Sequence, residues 1–437
     1  MSEPAPPVPV SFGEAMRIWV YVALNSFGGP AGQIAMMHRE IVERRGWLDE
    51  RRFLHALNFC MLVPGPEAQQ LATYIGWLFH GVRGGLVAGI LFVLPGAVVL
   101  MTLSIVYAGF HDTTLVQALC YGIKPAVIAV VAEAAVRLAR RALKGRANVA
   151  IALAAFVAIF FLDVPFPFLV IGAGLAGALL LRGSTPAVGP GTRSPRPHAR
   201  RSLAAVLIGL ALWTAPTAGA IVLTGPTSIF TQLALFFSFA AVITFGGAYA
   251  ILAFVAQQAV DVFGWLSAPQ MVDGLGLAES TPGPLIMVVQ FVGFIAAFGA
   301  PTGLDPFVAG ALGGLLVTWV TFVPSLTFIF AGAPYAEYVR ERPGLSAALA
   351  GVTAAVVGVI ANLALFFALH TLFRVNGEST FGILRIHTVD IATLDVFALA
   401  LAVASYICLA RLRWPLLVTL AASAAAGCAW YVVTGPR

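Results

Sequence analysis

Glycine–proline breaks, and the polar residues beside them, are the part of this sequence best equipped for chemistry. Gly28-Gly29-Pro30, Pro64-Gly65-Pro66, Gly246-Gly247 and Pro282-Gly283-Pro284 each interrupt a long apolar run. Glycine permits a backbone reversal and proline removes a helical donor, so a helix is predicted to restart after each break. Such a helix points unpaired N–H groups and the positive end of its dipole into the interior, which suits an anion. Beside the breaks stand Asn25, Ser26, Gln33, Asn58, Glu67, Gln69 and Gln70, and later Thr244, Glu279, Ser280, Thr281 and Gln290. Asn25, Ser26, Glu67, Gln69, Thr244, Glu279 and Thr281, with the four breaks and Lys124, form the predicted ligand-binding set.

Lys124 is the only lysine or arginine placed deep within an apolar segment. An ionisable group there marks function by default, although it could instead snorkel to the surface or pair with Glu133. Glu67 and Glu279 would repel an anion if ionised. They are either protonated at depth, which would couple ligand movement to protons, or turned toward other groups. The four cysteines, Cys60, Cys120, Cys408 and Cys428, include no CxxC and read as small buried hydrophobes. No two histidines share a helical face at metal-ligand spacing, and no nucleophile stands with a base. No metal, cofactor or enzymatic activity is expected.

The elements that must position these residues are membrane helices. Of 437 residues, 60% are hydrophobic and 10% charged, more apolar surface than a soluble fold could hide. The net charge of +6 sits in short loops between apolar runs, where it sets orientation and does not suggest nucleic acid. The start, MSEPAPPVPV, lacks a basic region and a cleavage pattern, so no signal peptide is expected to be removed.

A shift of 218 residues aligns Phe27-Gly28-Gly29 with Phe245-Gly246-Gly247, Gly46-Trp47-Leu48 with Gly264-Trp265-Leu266, and Pro64-Gly65-Pro66 with Pro282-Gly283-Pro284. Without a gap, 12 of the 41 positions from 26 to 66 are identical. After an insertion the offset becomes 229, and Pro95 meets Pro324. Two homologous membrane repeats follow, 1–181 and 203–437, joined by an arginine-, proline- and glycine-rich cytoplasmic linker at 182–202. Residues 38–52 carry five arginines, whereas the matching 256–270 carries Asp261 as its only charge. Arginine-rich loops stay cytoplasmic, so the copies are predicted to be inverted, with a binding site near the midplane.

Parity among the charged loops then requires re-entrant segments at 12–44, 53–80, 229–256 and 271–298. Full crossings are left at 84–110, 115–136, 147–162, 166–181, 203–223, 307–331, 345–372, 394–410 and 415–433. The fold class is an all-α polytopic membrane protein, two inverted-topology repeats with broken, re-entrant helices.

At FGGP, RRGWLDE, LVPGPEAQQLATYIGW, LPGA and AESTPGPLIM the chain resembles the chromate ion transporter family in its long, two-domain form. The resemblance covers about 11–145 and 229–363. It implies a multi-pass protein of the bacterial cytoplasmic membrane that exports chromate and confers resistance. Carried over, the motif positions are Gly28, Gly29, Pro30, Pro64, Gly65 and Pro66, then Gly246, Gly247, Pro282, Gly283 and Pro284; Ala248 departs from GGP. A carrier for sulfate or a related oxyanion is the alternative, and an enzyme acting on lipid phosphates is a more distant one. Proton coupling and a homodimer both remain open.

Overall fold

Corresponding points of the two copies build the same local structures, in places from different residues. Asp49 caps a helix by accepting from the Arg52 amide at 2.8 Å, and Ser267, 218 residues on, accepts from the Gln270 amide at 3.4 Å. Gly46 and Gly264 reverse the chain with φ of 62° and 60°. The amides of Trp47 and Trp265 donate to the carbonyls of Ile41 and Ala259 at 2.9 and 2.8 Å.

In this computed structural model, residues 10–181, 199–245, 248–333, 343–382 and 384–434 are described. Gly246, Gly247 and nearly all of the 182–202 linker lie outside the described residues. The first copy forms α1 (Phe12–Asn25), α2 (Gly29–His38) with a π-helical turn at Arg39–Glu43, α3 (Glu50–Cys60), α4 (Glu67–Phe110), α5 (Thr114–Ala142), α6 (Arg146–Phe160) and α7 (Phe166–Leu180). The second forms α8 (Ala199–Thr224), α9 (Ile229–Ile243), α10 (Ala248–Gln257) with a π-helical turn at Gln258–Val262, α11 (Ala268–Glu279), α12 (Val288–Phe298), α13 (Pro306–Gly332), α14 (Pro343–Leu372), α15 (Val396–Ala410) and α16 (Leu416–Thr434). Between α14 and α15 lies an antiparallel hairpin, β1 (Asn376–Phe381) and β2 (Leu384–Val389), in a stretch read from sequence as loop.

A straight helix of 44 residues would be about 66 Å long, twice a membrane core. α4 is instead broken at His80 (φ −136°) and Gly81 (φ 61°, ψ −151°). Its two arms pack back on one another so closely that a Cβ on Gly76 would lie 2.5 Å from the Gly84 carbonyl. Neither α3 nor the first arm of α4 is long enough to cross a ~30 Å core.

Six helices among the described residues are long and apolar enough to span a membrane: Glu67–Phe110, Thr114–Ala142, Ser202–Thr224, Pro306–Gly332, Ser346–Leu372 and Leu416–Thr434. Large apolar side chains stand out along them, with Val222 82% and Leu223 84% exposed, as a lipid solvent allows. The segments 147–162, 166–181 and 394–410, predicted to cross, form helices of only 15 residues each, α6, α7 and α15. The protein is an all-α polytopic membrane protein.

By compactness the chain divides into unit 1 (Met1–Thr102, Gly191–Ala248, Thr281–Val339) and unit 2 (Leu103–Pro190, Tyr249–Ser280, Arg340–Arg437), so each unit draws on both copies. In unit 1, α13 packs on α8, α9 and α12, and Gly293 and Gly313 let the last pair touch backbone to backbone. In unit 2, α14 packs on α5, α6 and α7, with Gly351 against Gly177 and Gly358 against Ala152. The hairpin is tied down within unit 2. The Arg385 amide donates to the Phe161 carbonyl at 2.7 Å, and its guanidinium donates to Asp163 Oδ2 at 2.7 Å.

At the exit of α2 the two ring nitrogens of His38 meet Glu43 and Glu50, outside the six spans. The hydrogen bond to Glu50 is the chief cause that raises the His38 pKa above 6.5, aided by Glu43 and opposed by partial burial. The folded pKa thus exceeds the unfolded one, and the stability this group contributes is full below about the ordinary value and lost as pH rises through the raised value. In detergent, the unfolding temperature of the wild-type protein should exceed that of His38→Gln at mildly acid pH, with the gap closing as the solution becomes alkaline. A gap independent of pH would show that His38 acts by packing alone.

Candidate functional site

α1 ends at Asn25, and the next residue, Ser26, is fully buried with its hydroxyl returned to the Val22 carbonyl. Gly28 (φ 89°) and Gly29 (φ 70°) then turn the chain, and Pro30 opens α2. In the second copy α9 ends at Ile243, and Thr244, also buried, returns its hydroxyl to the Ala240 carbonyl at 2.6 Å. Ser26 and Thr244 are 218 residues apart, so the copies terminate these helices by the same device.

The proline–glycine turns meet these ends reciprocally, all within unit 1. The Gly65 amide donates to the Thr244 carbonyl at 2.9 Å, and the Gly283 amide donates to the Ser26 carbonyl at 3.0 Å. Each turn of one copy is therefore bonded to the helix end that precedes the paired glycines of the other copy. A second pair of contacts obeys the same exchange. A Cβ on Gly96 would lie 2.4 Å from the Pro282 carbonyl, and a Cβ on Gly65 would lie 2.8 Å from Ser325 Oγ. Gly96 and Ser325 are the residues after Pro95 and Pro324, which the 229 offset pairs.

Carboxamides complete the cluster. Gln33 donates to the carbonyls of Gly283 and, at 3.4 Å, Ser26, while Gln70 donates to the Pro64 carbonyl at 2.7 Å. Ser325 donates to Gln69 Oε1 at 2.7 Å, Gln69 to Thr73 Oγ1 at 3.2 Å, and Gln290 to the Ala97 carbonyl at 3.1 Å. The Oε1 atoms of Gln33, Gln70 and Gln290 are buried without a donor among the described residues. The Gly65 and Gly283 amides are already engaged, so the donors left for a ligand are first-turn amides of the restarting helices and carboxamides able to turn.

The structure thus gathers Ser26, Gly28, Gly29, Pro30, Pro64, Gly65, Pro66, Gln69, Thr244, Pro282, Gly283 and Pro284 in unit 1. Thr281 is buried there as well, and Glu67 is half-buried at the first turn of α4, without a side-chain hydrogen bond among the described residues. Asn25 instead turns outward and donates to the Tyr21 carbonyl at 2.8 Å. Lys124 and Glu279 belong to unit 2. There Glu279 accepts from the Tyr249 hydroxyl at 2.7 Å. Lys124 pairs with Asp273 at 3.4 Å, not with Glu133, which is taken by Arg137 one turn along α5. Ser325, Thr73 and Asp273 were not read from the sequence. For Ser325 a signal existed, its place beside the paired Pro324. For Asp273 none did, because its counterpart is His55. Among the described residues no three His, Cys, Asp or Glu side chains gather as a metal would require.

A chromate transporter family model matches residues 13–178 and 231–428. The chromate transport protein of Pseudomonas aeruginosa is 33% identical over 379 residues, 85% of this chain and 84% of that protein. The probable chromate transport protein of Synechococcus elongatus is 30% identical over 353 residues, 80% of this chain and 83% of its own. The chromate transport protein of Cupriavidus metallidurans is 29% identical over 345 residues, 78% of this chain and 79% of its own. No solved structure matches. With both copies covered by the family model and the breaks of each locked into the other, the chain belongs to the chromate transporter family.

Proposed function

We propose that this chain is a secondary carrier exporting chromate across a bacterial cytoplasmic membrane, with resistance as the consequence. The observation that carries the reading is the reciprocal locking of the two proline–glycine turns onto Ser26 and Thr244. It supports a core of two equivalent halves related by a local two-fold, the plan on which alternating access is built. The arginines confined to one copy's loop support an inverted relation between the halves.

Non-helical backbone at membrane depth persists where protein or water covers it, and here it is surrounded by hydroxyls, carboxamides and helix N-termini. A tetrahedral dianion fits such donors. The membrane potential alone can drive its exit: moving two negative charges out across ~100 mV, negative inside, releases about 4.6 kcal/mol, roughly 2.3 per charge. Sulfate shares the shape and charge of chromate and is the competing substrate; transport as a homodimer is compatible with this reading.

Inverted membrane vesicles test the proposal. Chromate should accumulate in vesicles containing the protein when the potential is set positive inside, and excess sulfate should reduce the rate by less than equal excess unlabelled chromate. No chromate flux above control vesicles would overturn the proposal, and stronger competition by sulfate would reassign the substrate.

A further inference from the structure

Two buried carboxylates among the described residues are paired in different ways. Glu40, whose side chain is 2% exposed, has one carboxylate oxygen bonded by Arg44 and the other by Arg45. Asp273 on α11, 1% exposed, is only half satisfied. Its Oδ2 takes the Tyr107 hydroxyl at 3.0 Å and faces the Lys124 ammonium at 3.4 Å, long for a hydrogen bond. Its Oδ1 is buried without a donor among the described residues. A permanently ionised carboxylate in that position forgoes hydrogen bonds that would offset its desolvation, whereas a protonated one carries no charge to offset. Lys124 is 22% exposed in its side chain, so its ammonium is not sealed in with Asp273.

The geometry points to Asp273 as a proton-binding site coupled to the transported anion through Lys124. A proton from water binds Oδ1, forming an O–H bond, and the cluster passes from net neutral to a single positive charge on Lys124. That charge then attracts the dianion, so proton and oxyanion bind cooperatively and travel together, and one net negative charge crosses per cycle where the anion alone would carry two; on release both leave and the Lys124–Asp273 pair re-forms. The titratable groups around Asp273 are Tyr107 and His111 from α4, and Cys120 and Lys124 from α5. Glu279 lies farther along α11 itself. α14, which also packs on α11, carries no acidic or basic residue before His370.

The inference rests on the carrier reading, and proteoliposomes separate the two. With chromate as probe and an alkaline interior, flux is driven either by membrane potential at equal pH or by a more acid exterior at zero potential. The wild-type protein should respond to both, the pH gradient stimulating uptake on the order of tenfold, with protons entering alongside chromate. Asp273→Asn, which cannot take up the proton, should lose the response to the pH gradient, and Asp273→Glu should keep it. Absence of all wild-type flux would sink the carrier reading. Potential-driven flux without proton entry in the wild type would sink this inference alone, even if Asp273→Asn fails to fold. So would an Asp273→Asn protein with the wild-type pH response, or an Asp273→Glu protein without it.

Discussion

Gly65→Ala is expected to destabilise the protein by about 3–7 kcal/mol and to lower chromate flux at least tenfold. Gly65 has φ 132°, where an L-residue pays roughly 1–3 kcal/mol of backbone strain. The added methyl would also stand 2.6 Å from Gln70 Nε2 and 2.8 Å from Ser325 Oγ. Gln70 can swing away only by releasing the Pro64 carbonyl, at about 1 kcal/mol. Ser325 is short and held by Gln69, so it yields little, and overpacking adds about 1–3 kcal/mol. The partner position gives an internal control. Gly283 has φ 98°, but its added methyl would meet the Phe92 carbonyl at 3.2 Å and Gly96 Cα at 3.5 Å, a milder crowding. Gly283→Ala should therefore cost less than Gly65→Ala. Thermal unfolding in detergent and chromate flux in vesicles read both effects; equal, near-wild-type behaviour of the two variants would remove the lock from the mechanism.

The sequence carried the components of that lock but not their assembly. Gly28, Pro64, Gly65 and Gly283 were legible because glycine and proline restrict local backbone wherever they stand. The repeat was legible because identities recur at a fixed offset. The exchange of bonds between copies was not, since no periodicity within Pro64-Gly65-Pro66 says that its amide will meet Thr244. Lys124 stood out as a lone charge in an apolar run, yet its partner lies 149 positions later at a place where the first copy carries His55. The 376–389 hairpin was missed because its alternation is short and its anchor, Arg385 to Asp163, is a distant contact.

Charge removal at the exit of α2 should have the other large effect: Arg44→Ala/Arg45→Ala is expected to cost about 3–5 kcal/mol, because it strands the buried Glu40 carboxylate without a partner. Glu40→Gln should cost only about 1–2 kcal/mol, since Arg44 and Arg45, 58% and 29% exposed, can turn to water when the carboxylate is gone. Adding Glu40→Gln to the double variant should then restore part of the lost stability, an interaction that additive effects would not give. Unfolding temperatures of the four proteins decide the matter, and a double variant no less stable than Glu40→Gln would refute the stranded-charge argument. The same cluster explains how the second copy dispenses with these arginines. Arg45 lies over the Trp47 ring at 5.6 Å, and its counterpart Phe263 stacks on Trp265 at 4.3 Å and 7°. A cation and a phenyl ring thus fill the same place above the same indole. The turn after each broken helix keeps its packing while its charge changes, which is what a loop needs if the two copies meet opposite faces of the membrane.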